Sequence, residues 1–186
     1  SFLHMAPTVA IVLNIKEDHL DCYKDIEEIE DTFGQFLKRL PQNGIAIGNG
    51  DDPRVRRQLE KCGRKTVFFG LGSGNDWYPA NSEEDAGGFY SFDLMHRGKK
   101  EAFVEMGVPG IFNVLDALGA VAAADALGIP AEKAVPVLKK FVGAHRRFEL
   151  TDTINGVEIF TDYGHNPVEM ANALSIARKR CRGRLW

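Results

Sequence analysis

Cysteine is scarce in this chain of 186 residues: Cys22, Cys62 and Cys181 are far apart and show no C-x-x-C spacing. That pattern gives neither a disulfide framework nor a zinc site, and it fits a reducing cytoplasm. No apolar run approaches the ~20 residues of a membrane span. No charged start with a short apolar core and a small-residue cleavage site marks a secretory leader. Positive charge is not in excess, since 23 Lys and Arg stand against 26 Asp and Glu, with a net charge of -3. Nucleic-acid binders carry a basic face, so no nucleic-acid partner is expected. The late cluster Arg178 to Arg184 reads instead as the cationic end of a helix, where the helix dipole favours it. Two nucleotide fingerprints are also missing. No G-x-x-x-x-G-K-[ST] phosphate loop occurs, and Gly70-Leu71-Gly72-Ser73-Gly74-Asn75 lacks the lysine and following hydroxyl, so it reads as a solvent turn. No G-x-G-x-x-G follows a strand, which argues against a dinucleotide-binding oxidoreductase.

What is present points to a layered α/β protein. With 44% hydrophobic residues the chain can bury a real core, as one large or two small domains. Thr8 to Ile15 is a continuous, β-branched apolar run, expected to be a strand buried on both faces of a parallel sheet. An amphipathic helix is expected over Asp25 to Leu40, a short strand over Gly44 to Ile47, a helix capped by Asp51-Asp52-Pro53, and a strand over Lys65 to Gly70. From Trp77 to Val108 alternating stretches predict a small antiparallel meander, turning at His96-Arg97-Gly98-Lys99. Helices follow over Asn113 to Leu127 and Ala131 to Phe141, the second kinked or delayed by Pro136. The fold class is therefore α/β: a mainly parallel sheet flanked by helices with a small meander, then the start of a second, Rossmann-like α/β domain. The boundary falls at the hinge Gly143 to Glu149, dividing residues 1–146 from 147–186. The second unit is expected to hold the strand Val157 to Phe160, a helix over Val168 to Lys179 and a strand beginning at Arg184-Leu185-Trp186. A βα unit of about forty residues cannot bury its own sheet, so this second domain is expected to be incomplete.

Four places carry chemistry. Thr161-Asp162-Tyr163-Gly164-His165-Asn166-Pro167 sets a carboxylate and an imidazole at a strand end, where open α/β sheets bind ligands. A plain strand-to-helix cap explains the same residues. His19, flanked by Asp18 and Asp21, can ligate a divalent cation while a carboxylate fixes its tautomer, or it can belong to a solvated helix cap. Asn113 follows Pro109-Gly110, and its carboxamide can read an adenine edge or cap a helix. Arg146 and Arg147 offer forked donors for phosphate, or hinge ion pairs to Glu149 or Asp152.

In this order and at these separations the segments resemble the Mur ligases, ATP-dependent amide-forming enzymes of peptidoglycan synthesis. The family pattern runs S-F-L-x-L-x-P, T-N-I-x-x-D-H-x-D, P-G-x-H-N-x-x-N-A, G-x-x-R-R-F-E and D-D-Y-x-H-H-P. Here it meets Ser1-Phe2-Leu3-His4, Asn14 to Asp21, Pro109 to Ala117, Gly143 to Glu149 and Thr161 to Pro167. The resemblance implies ATP and Mg2+ as cofactors, with His19 helping to hold the magnesium and Asn113, Arg147, Asp162 and His165 on the nucleotide. It also implies small-molecule substrates, UDP-N-acetylmuramate and L-alanine if the chain sits in the muramate:alanine branch; nothing in the residues specifies an oligomeric state. That branch fits the absence of lysine between Lys24 and Lys38, since other branches carry a modified lysine near the position of Phe33. Phe112, Asp116, Thr161 and Asn166 depart from the pattern, and D-Y-G-H-N-P is similar to cyanophycin synthetase as well. A murein-tripeptide recycling ligase and a non-catalytic nucleotide-binding fragment are the remaining alternatives. No catalytic residue is assigned, and the chain alone, without a phosphate loop, is expected to be inactive.

Overall fold

A computed structural model describes residues 2–186; Ser1, the first residue of the S-F-L-H block, lies outside the described residues. The first layer is a six-stranded sheet in which strand order in space follows strand order in sequence. Strands β1 (Val9–Val12), β2 (Ile45–Asn49) and β3 (Lys65–Phe69) run parallel. β4 (Trp77–Glu84) joins β3 in parallel through the pair Phe69 and Trp77. β4, β5 (Tyr90–His96) and β6 (Lys99–Glu105) then form the antiparallel meander. The β5–β6 hairpin turns on Arg97 and Gly98, with φ of 49° and 85°. Two successive left-handed residues match the twist of the flanking strands, which is why an X-Gly pair turns here.

Helices α1 (Ile26–Lys38) and α2 (Pro53–Lys61) cover one face of the parallel strands. Each begins on an aspartate: Asp25 accepts the amide of Glu28, and Asp52 accepts those of Arg54 and Val55 ahead of a first-turn proline. Helices α3 (Ile111–Ala126) and α4 (Ala131–Lys140) cover the other side, where Phe69, Trp77, Phe92, Leu94 and Val104 meet Val114, Leu118 and Val121. α4 runs through Pro136 from Ala131 onward, so the proline does not delay the helix start.

β1 is the end strand of the sheet and is buried mainly on one face. Ala10 and Val12 enter the core beneath α1, whereas Ile11 and Leu13 are 40% and 42% exposed. The expectation of burial on both faces is corrected by the position of α3, which lies mainly over β2 and β3. The solvent turn at Gly70 to Asn75 is also more ordered than expected. The Asp51 carboxylate accepts the amides of Leu71 and Gly72 and the carboxamide of Asn75, which is buried. A carboxylate thus already occupies the backbone donors that a phosphate would need.

Between α1 and α2, Arg57 grips Glu30 with both arms of its guanidinium, at 2.7 and 2.8 Å, and Gln58 adds a third donor at 2.8 Å. These donors hold the Glu30 carboxyl well below its ordinary 4.5, at about 2. A folded-state pKa below the unfolded one stabilises the protein above the unfolded value and is lost as pH falls toward the folded value. Wild type is therefore expected to lose stability between about pH 4.5 and pH 2 through this group. Glu30→Gln should flatten that part of a denaturation-midpoint profile; an unchanged acid limb counts against the assignment.

The second unit is a hairpin of β7 (Glu149–Ile154) and β8 (Val157–Thr161) followed by α5 (Pro167–Arg180). Arg184-Leu185-Trp186 forms no strand, and Trp186 is 96% exposed. A strand there needs a partner for its ladder, and β7 and β8 pair only with each other among the described residues. α5 docks on the first unit through Ile176, which is 3% exposed and lies against the backbone of Gly110 and near Gly88. Lys179 adds an ion pair with Glu84.

Candidate functional site

The hinge, the end of β8 and the start of α5 meet at one place. Left-handed backbone marks it: Gly143 has φ 100°, which glycine adopts freely, and the non-glycine residues Arg146 and Phe148 have φ 61° and 44°. Non-glycine residues enter this region only when their surroundings hold them there. Here the hold is specific. Tyr163 donates its amide to the Arg146 carbonyl at 2.7 Å, and Asp162 Oδ2 accepts the Phe148 amide at 2.8 Å. The Phe148 ring stacks on Phe160 with centroids 4.6 Å apart.

Asp162 follows β8 directly. Its other oxygen accepts the Gly164 amide at 2.6 Å, so this carboxylate stitches hinge to turn and is less free than a solvated acceptor. Asn166 caps α5 by accepting the amides of Val168 and Glu169 at 3.1 and 3.0 Å. His165 projects from the turn, its Nδ1 3.2 Å from the Tyr163 carbonyl oxygen. Arg147 reaches the same turn from the hinge side. Its Nη1 lies 3.9 Å from Glu169 Oε1, and its side chain is 54% exposed. Arg146 stacks over the Tyr163 ring at 4.6 Å. The expected hinge pairs of the arginines differ in detail: Glu149 accepts the Arg146 amide and faces His145, and these contacts hold its carboxyl below the usual range.

Asn113 sits in the first turn of α3 and does not cap it. The capping position is Gly110, and the Asn113 carboxamide donates back to the Pro109 carbonyl at 2.7 Å. That leaves the amide oxygen and one N–H for an outside partner. Gly110 has φ 100°, and a Cβ there would meet Phe112 Cε1 at 2.7 Å and Ile176 Cδ1 at 2.9 Å, so only glycine lets α3 start against α5. One turn into α3, desolvation pushes the Asp116 carboxyl upward while the Arg147 charge pulls it down. The residue as a whole is exposed, so the desolvation comes from crowding around the carboxyl rather than from core burial. Asp116 thus places the start of α3 within electrostatic reach of the hinge.

The structure therefore gathers Arg147, Asp162 and His165, while the start of α3 meets α5 further along, at Gly110 and Ile176. His19 is not joined to them by any contact. It has φ 53° on an exposed loop, and Asp18 accepts its backbone amide rather than bonding its ring. Of the two expected carboxylate partners for the imidazole, Asp18 accepts the His19 backbone amide and Asp21 accepts the Cys22 thiol. No group of three or more His, Cys, Asp or Glu side chains is placed to hold a metal among the described residues. One imidazole fits magnesium only as a single protein ligand, which suits an ion held mainly by water and phosphate oxygens. The Phe33 ring, near the position where the resemblance implies a modified lysine in other branches, is stacked on Phe2 with centroids 5.0 Å apart. A groove of about 350 Å³ lined by Glu83, Glu84, Asp85, Glu105 and Lys139 lies on the meander. Its carboxylates make it a poor seat for a polyanion, and the strand-end cluster is the better candidate.

A mainly parallel sheet extended by an antiparallel meander, with a hinge leading to a second unit, defines an α/β protein with its strand ends open to a ligand. Residues 2–124 match the Mur ligase middle domain, and residues 146–186 match the Mur ligase glutamate ligase domain. The chain belongs to the Mur ligase family. It is 40% identical over 185 residues to the UDP-N-acetylmuramate--L-alanine ligase of Clostridium perfringens, covering 100% of this chain and 40% of that protein. The ligase of the same name from Caldanaerobacter subterraneus is 34% identical, over 96% of this chain and 39% of its own length. The chain thus spans about 40% of the length of these relatives. Among solved structures, MurF from Acinetobacter baumannii superposes with a TM-score of 0.81 at 26% identity, covering 96% of this chain and 39% of that one. MurF from Thermotoga maritima, solved in complex with ADP, has the same fold: TM-score 0.78 at 23% identity, over 93% of this chain and 39% of that one.

Glu169 is the site residue that sequence reading misses. Its only signal is the spacing Asn166-x-x-Glu169, a helix-start pattern that explains itself without invoking a ligand.

Proposed function

We propose that this chain is the nucleotide-facing part of an ATP-dependent carboxylate–amine ligase that joins L-alanine to UDP-N-acetylmuramate in the cytoplasm. The observation that carries the reading is the convergence of Arg147, Asp162 and His165 at the end of β8. The choice of acceptor is supported by whole-chain similarity to ligases of that name at 34% to 40% identity. In this reading residues 1–146 form the central ATP-binding domain and residues 147–186 the first part of the last domain.

A carboxylate oxygen of UDP-N-acetylmuramate attacks the γ-phosphorus of ATP, the bond to ADP breaks, and an acyl phosphate forms. The amine of L-alanine then attacks the acyl carbon, phosphate leaves and the amine loses a proton. Arg147 supplies a forked donor for phosphate oxygens, which gains most where charge develops in the transition state. Asp162 accepts from ribose hydroxyls through the lone pairs that its two backbone amides leave free. Asn113 presents an oxygen and an N–H to the adenine edge, and His165 lines the same nucleotide. Magnesium, when bound, neutralises phosphate charge, and His19 would be one of its ligands.

The test is a chimera in which this chain replaces the matched span of the Clostridium perfringens ligase. ADP release that requires both UDP-N-acetylmuramate and L-alanine is expected, with none from the 186-residue chain alone. A folded chimera that releases no ADP with these substrates would overturn the reading, and turnover by the isolated chain would show that the active site has been misplaced.

A further inference from the structure

The start of helix α5 leaves several backbone donors without an intrahelical partner, and Asn166 accepts two of them, the amides of Val168 and Glu169. The Glu169 carboxylate reaches beyond the helix. Its Oε2 accepts the His165 amide at 3.2 Å and lies 3.7 Å from His165 Nδ1, while Oε1 faces Arg147 Nη1 at 3.9 Å. Arg147 comes from the hinge and His165 from the strand-end turn, so one carboxylate touches two nucleotide-facing groups carried by different segments.

From this geometry we infer that Glu169 is a positioning residue that holds Arg147 and His165 as one unit; the inference rests on the nucleotide reading above. Both groups that face His165 Nδ1, the Tyr163 carbonyl oxygen and Glu169 Oε2, can only accept. The neutral ring therefore carries its proton on Nδ1 and turns an unprotonated Nε2 outward, as an acceptor for a hydroxyl or an amine. The Tyr163 ring meets His165 edge-on at 5.4 Å and is itself covered by Arg146, which keeps the imidazole from swinging toward the hinge. Arg147, meanwhile, has an exposed counter-ion at long range. Such a pair is weak and screened, so an arriving phosphate can displace it at little cost. Glu169 thus aims the guanidinium without trapping it.

Nitrogen NMR of the 186-residue chain, without nucleotide, reads both effects. In wild type at a pH where the ring is neutral, His165 is expected as the Nδ1–H tautomer, with a dispersed Arg147 Nη–H signal. Glu169→Ala should weaken the preference for Nδ1–H, leaving the Tyr163 carbonyl alone to hold it, and return the Arg147 signal to its solvated position. Glu169→Gln keeps an acceptor at this helix position, so it should preserve the tautomer and still release Arg147. It also decides the matter if the alanine variant frays α5. An Nε2–H tautomer in wild type would overturn the proposal. So would an Arg147 signal that neither substitution moves while the α5 amides stay helical. Because no nucleotide is used, failure here is distinct from failure of the ligase assay.

Discussion

Truncating Phe69 to alanine is expected to remove about 3–5 kcal/mol of folding free energy, the range for a large aromatic deleted from a packed core. Phe69 is fully buried at the end of β3, where that strand hands the sheet over to the meander through Trp77. Its ring lies against α3 at Gly119, where an added Cβ would come within 3.2 Å of Phe69 Cζ. Glycine has no side chain to lean into the void, so the cavity cannot collapse cheaply. Against a typical total of about 5–15 kcal/mol, the loss is large. Urea denaturation should show a lower midpoint at unchanged slope. Gly119→Ala should cost less in the Phe69→Ala background than in wild type, because the two positions share one space. A loss below about 1 kcal/mol, within the range of an ordinary substitution, would mean that the two layers are not held together here.

Much of this arrangement is legible in the residues. The apolar runs at Thr8, Gly44 and Lys65, with helices capped by Asp25 and Asp52 between them, yield parallel strands because burial on a sheet and aspartate capping are local chemistry. Exposure is less legible. Ile11 and Leu13 read as core because an apolar run looks the same whether or not a helix lies over it. The first strand of the second unit, Glu149–Ile154, is hidden by its polar residues, although Asn155-Gly156 is a strong hairpin signal and does turn there with φ of 51° and 82°. The motif blocks name Arg147, Asp162 and His165 but not their roles in the turn. That Asp162 accepts two backbone amides, or that Ile176 fills the notch at Gly110, depends on contacts far apart in sequence, which no local pattern encodes.

Replacing Arg147 by alanine in the chimeric ligase is expected to lower kcat/KM for ATP by roughly 10- to 150-fold, since a hydrogen bond to a charged group contributes about 1.5–3 kcal/mol. Stability should change by no more than about 0.5 kcal/mol, the usual range for a surface substitution. The side chain is 54% exposed, and its Glu169 partner is 3.9 Å away. Asp162→Ala makes an instructive contrast. It removes the acceptor for both the Phe148 and the Gly164 amides, so it should loosen the hinge as well as weaken nucleotide use. Arg147→Lys separates charge from shape. A lysine keeps the positive charge but loses the planar fork, so it should restore only part of the activity if phosphate is held by two parallel bonds. Full rescue by lysine would reduce Arg147 to a point charge, and an alanine variant with unchanged kcat/KM would remove it from the nucleotide site altogether.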